Sequence, residues 1–175
     1  MFLLKSEELS ALFRAVGNIF KTLFGGVSSE HEVSRVSAST IYENLDKEKY
    51  EIFPVGITKS GDWILFGGTD YSMLPAGTWM DCDGNCPAAI SPVRGQGLLS
   101  FEGDCVVRER IDVVFPVMHG ENCEDGAIQG LLKLAGIPCV GPHVSASAVA
   151  MDKTLTKLVV DQAGVPQAAW HLVRN

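Results

Sequence analysis

Residues 111–141 constrain the fold most tightly. Ile111 to Met118 (IDVVFPVM) is a near-continuous apolar run, the pattern of a strand buried on both faces of a parallel sheet. His119 to Cys123 reads as a loop, Asp125 as an N-cap, and Ala127 to Ala135 as a helix stopped by Gly136. Ile137 to Val140 is a second buried strand, followed by Gly141-Pro142. Strand, helix and strand make a βαβ unit. The expected class is therefore α/β, with an open, mostly parallel sheet flanked by helices.

The other segments supply weaker elements. Residues 7–23 read as an amphipathic helix, with Leu9, Leu12, Phe13, Val16, Ile19, Phe20 and Leu23 on one face and Ser6 as N-cap. Such a helix packs on a core, or docks on a partner or membrane surface, although it lacks the basic flanks a membrane helix carries. Gly25 to Glu30 is a turn, residues 32–45 form a helix rich in small side chains, and Tyr50 to Ile57 is an extended run. Lys59 to Asp62 signals a turn before a strand at Trp63 to Phe66. Residues 67–108, rich in Gly, Pro, Asp and Asn, read as a long connection with a few short strands. Ser145–Met151 and Thr154–Ala163 are helical, and Gly164 closes the second. Val165 to Val173 is extended with nothing to pair against, so the chain is expected to be cut at Asn175.

Composition narrows the partners. Apolar residues are 46% and charged residues 20% of the 175, which excludes a disordered chain. A net charge of −7 and a pI near 5.0 argue against nucleic acid or an anionic membrane as partner and leave a small molecule. No apolar stretch approaches the roughly 18 residues of a membrane span, and Glu7 and Glu8 interrupt any export signal. The cysteines are Cys82, Cys86, Cys105, Cys123 and Cys139. An odd number without that signal predicts reduced thiols in a cytoplasmic protein. Cys82-x-x-x-Cys86 lacks zinc-ribbon spacing and has no completing pair, so no metal site is expected there.

Ligands of open parallel sheets bind beyond the carboxyl ends of the strands, where two loops lie here: GGVSSEHE and HGENCEDG. The first fits neither nucleotide-binding glycine pattern, and it carries Glu30 and Glu32 where a pyrophosphate needs positive potential. A carboxylate there suits an ammonium; equally, it favours the dipole of the following helix. His119 directly follows a buried strand and precedes Gly120. Its imidazole either donates to a ligand carboxylate or is satisfied by neighbouring backbone. One carboxylate and one imidazole on facing loops would fit a zwitterion, which makes an amino acid the candidate ligand.

These loops and their surroundings resemble the D-alanine–D-alanine ligase family. The matching stretches are LFGGVSSEHEVSRVSA (Leu23–Ala38), FPVGITKSGDW (Phe53–Trp63), DVVFPVMHGENCEDGAIQGLLKLAGIPCVG (Asp112–Gly141) and SASAVAMDKTLTKLVVDQAGVP (Ser145–Pro166). The resemblance implies a pre-ATP-grasp, Rossmann-like domain over residues 23–150. It is preceded by an atypical helical extension (1–22) and followed by the start of an ATP-grasp domain (151–175). It implies an enzyme that joins two D-alanines for peptidoglycan precursors, using ATP and Mg2+ and passing through an acyl phosphate. Glu30 would then be a catalytic residue holding the first D-alanine's ammonium, and His119 would bind its carboxylate. Val33, Ser34, Gly120 and Glu124 would belong to the same substrate site, with Glu124 and Asp125 also ordering their loop, and Lys153 would approach ATP phosphate. A homodimer is implied as well.

Two departures from the family pattern bear on this. A short strand should directly precede Gly25-Gly26, where the sequence reads as a helix containing Lys21 and Thr22. Either Ile19–Phe24 still forms that strand, or an altered start compromises it and misplaces Glu30. The remaining ATP-binding residues and the magnesium ligands should lie beyond Asn175, so residues 1–175 alone are expected to be inactive. The alternatives are a ligase of the same family joining D-alanine to D-serine or D-lactate, and a non-catalytic remnant that binds an amino acid or a partner.

Overall fold

The computed structural model describes residues 19–173. Its strand β1 (Ile19–Gly25) is flanked in parallel by β2 (Glu51–Ile57) and β7 (Val113–Pro116). Ile19–Phe24 thus forms the strand, and the helical reading fails over residues 19–23. The remainder of that expected helix lies outside the described residues. The reason is local. β1 is buried on both faces, so it shows no polar-apolar alternation, and a short apolar run of this kind fits either period. Phe20 and Phe24 are fully buried, Thr22 hydrogen-bonds Tyr42, and Leu23 enters a different cluster of the core. The expected boundary after residue 22 falls inside this strand.

Among the described residues seven strands run in the order β6-β5-β4-β3-β2-β1-β7. β3 (Trp63–Leu65), β4 (Cys86–Ile90), β5 (Leu98–Glu102) and β6 (Cys105–Glu109) all pair antiparallel. The α/β class holds, but the sheet is mixed. Among the described residues, parallel pairing is confined to β1 with β2 and β7, and to a bridge between Val114 and Cys139. The stretch read as a long connection folds as a meander. Hairpin neighbours in such a meander pair antiparallel without needing a crossover helix.

Helices cover both faces. α1 (His31–Asn44) and the short α2 (Met73–Ala76) lie over Phe24, Ala38, Tyr42, Leu74 and Trp79. α3 (Ala127–Ala135) packs Ile128 and Leu132 against Leu23, Val55, Ile57 and Val114. Each such buried Leu or Phe contributes about 1.5–3 kcal/mol. α3 ends at Gly136, whose φ of 71° is the left-handed C-cap expected there. α4 (Val144–Met151) and α5 (Lys153–Gln162) form a hairpin, and the Asp152 carboxylate caps α5 by accepting from Thr154 N at 2.8 Å and Leu155 N at 3.0 Å. Residues 165–173 join no strand. Among the described residues no helix is long and apolar enough to cross a membrane.

One polar residue is set into this sheet. Lys21 has 0% side-chain exposure, pairs with Glu109, and places Nζ 3.4 Å from the Phe53 ring centroid. Burial pulls its ammonium below the ordinary lysine value, against the stabilising pull of Glu109.

Candidate functional site

Strand register brings the site together. Leu23 pairs with Pro116 across β1 and β7, so the two strands end side by side and their following loops face one another. The first loop turns sharply through Gly25 and Gly26, both at positive φ, and Gly26 N donates to Ile57 O at 2.8 Å. His31 is buried and donates from Nδ1 to Gly26 O at 2.8 Å, which ties the loop to the start of α1. The loops also pack through Cys123, whose Sγ would stand 3.1 Å from a Cβ on Gly26. Burial pushes that thiol up to about 12, with the negative charges of Asp125, Glu124 and Glu30 adding to the effect.

Glu30 is the N-cap residue of α1, and its side chain makes no capping hydrogen bond. Its N–H instead donates to Ser28 Oγ at 3.0 Å. The carboxylate reaches the facing loop, with Oε2 2.9 Å from the Cβ position of Gly120. The Ser28 hydroxyl presses on the same point, and Gly120 has φ of 76°, so backbone without a side chain is what lets the loops close. Glu32 is spent elsewhere. It is exposed and 2.5 Å from Lys59, whose hydrogen bond holds its carboxyl below the usual range.

His119 is 32% exposed and sits between two partners. Nε2 is 3.3 Å from Ser37 Oγ, and Nδ1 is 3.9 Å from Glu124 Oε1. The second Glu124 oxygen accepts from Gly120 N at 2.9 Å, which fixes the carboxylate beside the ring. Asp125 orders the same loop by accepting from Asn122 N at 2.7 Å and Ala127 N at 3.0 Å. The N-cap position itself is Gly126, one residue later than expected.

The structure therefore gathers Glu30, His119, Gly120 and Glu124. Val33 lies at the start of the same helix with 53% exposure. Ser34 is not a wall of the opening: at 0% exposure it accepts from Gly25 N at 2.8 Å and donates to Val117 O at 2.5 Å. It locks α1 to the ends of β1 and β7. Lys153 is exposed at the start of α5, and no hydrogen bond or ion pair among the described residues joins it to either loop. Sequence reasoning missed Ser28 and Ser37. Ser37 lies seven residues after Glu30, two helical turns along one face, and that spacing was the available signal. A separate hollow lined by Gln129, Lys133, Pro138, Cys139, His143 and Ser145 contains none of the predicted site residues. Among the described residues no three His, Cys, Asp or Glu side chains are grouped to hold a metal ion.

The geometry offers an anionic oxygen pair and an imidazole on facing loops, flanked by two hydroxyls. A family model described as the D-ala D-ala ligase N-terminus matches residues 20–142. A D-alanine–D-alanine ligase of Thermoanaerobacter sp. (strain X514) is 49% identical over 144 residues, covering 82% of this chain and 40% of that protein. The VanG D-Ala:D-Ser ligase of Enterococcus faecalis superposes with a TM-score of 0.78 at 39% identity, over 85% of this chain and 42% of that one. The D-alanine–D-alanine ligase of Coxiella burnetii gives 0.77 at 38% identity, over 88% and 44%. The chain thus spans about 40% of the length of the curated relatives it matches.

Proposed function

This chain belongs to the D-alanine–D-alanine ligase family, and from that premise we propose that the Glu30–His119 site holds the first D-alanine of an ATP-dependent ligation serving peptidoglycan synthesis. The observation that carries the reading is the Glu30 carboxylate, which makes no capping hydrogen bond to its own helix and faces Gly120. Glu30 binds and orients the ammonium, as its catalytic role. His119, beside Glu124, meets the carboxylate. Val33 borders the ligand, and Ser34 acts from beneath by fixing where α1 begins.

Ligases of this family depend on ATP, which supplies the phosphoryl group that activates the carboxylate. Lys153, exposed and in no ion pair among the described residues, fits a phosphate contact. The described residues do not group into a magnesium site. Mg2+ would accompany the ATP, and the protein acts as a cytoplasmic homodimer with no nucleic-acid or membrane partner. Residues 151–175 are read as the opening of an ATP-grasp domain.

The VanG match keeps D-serine ligation as a second reading, since nothing in the two loops selects the second substrate. Calorimetry with D-alanine and D-lactate on this chain tests the site. D-Lactate lacks the ammonium and should bind at least tenfold more weakly, with Glu30→Gln erasing the difference. Equal binding of the two by the unmodified chain overturns the assignment.

A further inference from the structure

β6 stands at the end of the strand order opposite β7, and among the described residues no strand pairs with its outer side. Cys105, Val106, Val107 and Arg108 are all exposed. An edge strand presents unpaired N–H and C=O groups, and proteins commonly blunt one with lysine, proline or a bulge. β6 (CVVRE) holds neither lysine nor proline, and it pairs with β5 residue for residue, from Leu98 opposite Glu109 to Glu102 opposite Cys105. One face of this hairpin is apolar at the edge: Val106, 56% exposed, lies directly opposite Phe101, 39% exposed.

The side chains along the edge select what can pair with it. Beyond Arg108 the chain is already engaged, since Glu109 pairs with buried Lys21 and Arg110 holds Asp112 at 2.6 Å. The free stretch therefore runs from Asp104 to Arg108, with Val106 at its midpoint. Asp104 and Arg108, at its two ends, join no ion pair among the described residues. Two antiparallel copies of this stretch, related by a twofold axis at Val106, set Val106 against its own counterpart. Cys105 then meets Val107 of the second copy, and Asp104 meets Arg108 of the second copy, twice over. Opposite charges directly across such a pair stabilise it and like charges oppose it; this register contains only the first kind. Facing residues share one face of a sheet, so Phe101, Val106 and their counterparts form a single apolar row across the joint.

We infer that β6 is a self-pairing edge: a second copy of this chain adds its own β6 antiparallel, centred on Val106, and joins the two sheets into one. The inference gives the homodimer proposed above its surface and rests on that part of the reading, not on the ligand site. A twofold contact of this kind uses the same patch on both copies, so it closes and propagates no further.

Analytical ultracentrifugation of the 175-residue chain over a range of concentrations measures the association. The unmodified chain should dimerise reversibly. Val106→Lys, at an exposed position, should raise the dissociation constant at least tenfold. Asp104→Arg and Arg108→Asp should each do the same, because each sets like charges across the joint, and the double variant Asp104→Arg/Arg108→Asp should recover the unmodified affinity. In a Cys105→Ser background, Val106→Cys should give a disulfide-linked dimer on mild oxidation, mapped by mass spectrometry to residue 106 of both copies, since facing Cβ atoms lie about 4.5–5.5 Å apart. Circular dichroism establishes that each variant folds; should the charge variants not fold, Val106→Lys and the disulfide decide. A dimer indifferent to Val106→Lys overturns the inference and leaves the homodimer to another surface, and so does a double variant as weak as the single ones. A chain that stays monomeric at every concentration overturns both, while D-alanine binding judges the ligand site separately.

Discussion

The Glu30 carboxylate lies against the backbone of Gly120, its Oε2 2.9 Å from the point a Cβ would occupy. The two residues are 90 positions apart in sequence (120 − 30) and meet because β1 and β7 are parallel neighbours in register at Leu23 and Pro116. Nothing but hydrogen at Cα of Gly120 separates the loops at this point, so the approach depends on the glycine in two ways: its φ of 76° and the space its missing side chain leaves.

Gly120→Ala should therefore lower stability by about 2 kcal/mol, from a left-handed backbone that resists Cβ and from contact with Ser28 and Glu30. It should also weaken D-alanine binding at least tenfold. Urea unfolding and calorimetry on one preparation check both effects.

Ser34 and Val33 are neighbours with opposite consequences. Ser34→Ala leaves Gly25 N and Val117 O without their buried partner, and each lost partner costs about 1–3 kcal/mol. Val33 is exposed, so Val33→Ala should change stability by under about 0.5 kcal/mol. Thermal melts of the two variants should separate clearly.

How far the sequence reveals this site depends on the element. The β7–α3 unit is legible because a long apolar run, a loop and a periodic helix each point to one structure. β1 is not, because a strand buried on both faces loses its alternation, and Lys21 and Thr22 look like the polar side of a helix. Only the structure shows their partners, Glu109 and Tyr42. Glu30 and His119 are legible from charge and position beside a glycine. Ser37 is not, because the spacing that carries it has meaning only once α1 is known to face the second loop. β3 is legible after its turn, but within residues 67–108 the sequence shows only a few short strands; their antiparallel order is not legible, since β4, β5 and β6 are five residues each and broken by turns.

Lys21 predicts a pH dependence. Its folded value lies below the ordinary 10.5, so between the two the unfolded chain binds the extra proton and stability rises with pH across that window. Lys21→Met removes the cost of burying the ammonium. At pH 7 it should be as stable as the unmodified chain or more so, by about 1 kcal/mol, and this margin should shrink as pH approaches 10.5. Glu109→Gln weakens the partner and leaves the ammonium buried, so it should destabilise by about 2 kcal/mol. Comparing variants at each pH cancels the other titrating groups.

The thiols should separate by environment. Cys105 is exposed, whereas burial holds Cys139 up to about 11 and Cys123 up to about 12. Alkylation at pH 8, followed by peptide mass mapping, should modify Cys105 long before Cys123. Early labelling of Cys123 would mean that the two loops open readily.

Residues 1–175 supplied with ATP and D-alanine should release no ADP above background, since phosphoryl transfer needs a bound metal and no three His, Cys, Asp or Glu side chains among the described residues are grouped to hold one. D-alanine-dependent ADP release in a coupled assay would refute this.

Backbone amide NMR of the labelled chain during D-alanine titration tests the central claim most directly. Binding between the facing loops predicts shifts grouped in residues 25–34 and 117–125, larger with D-alanine than with L-alanine and lost in Glu30→Gln. Shifts centred instead on the hollow around Gln129, Lys133 and His143, or unaffected by Glu30→Gln, would contradict it.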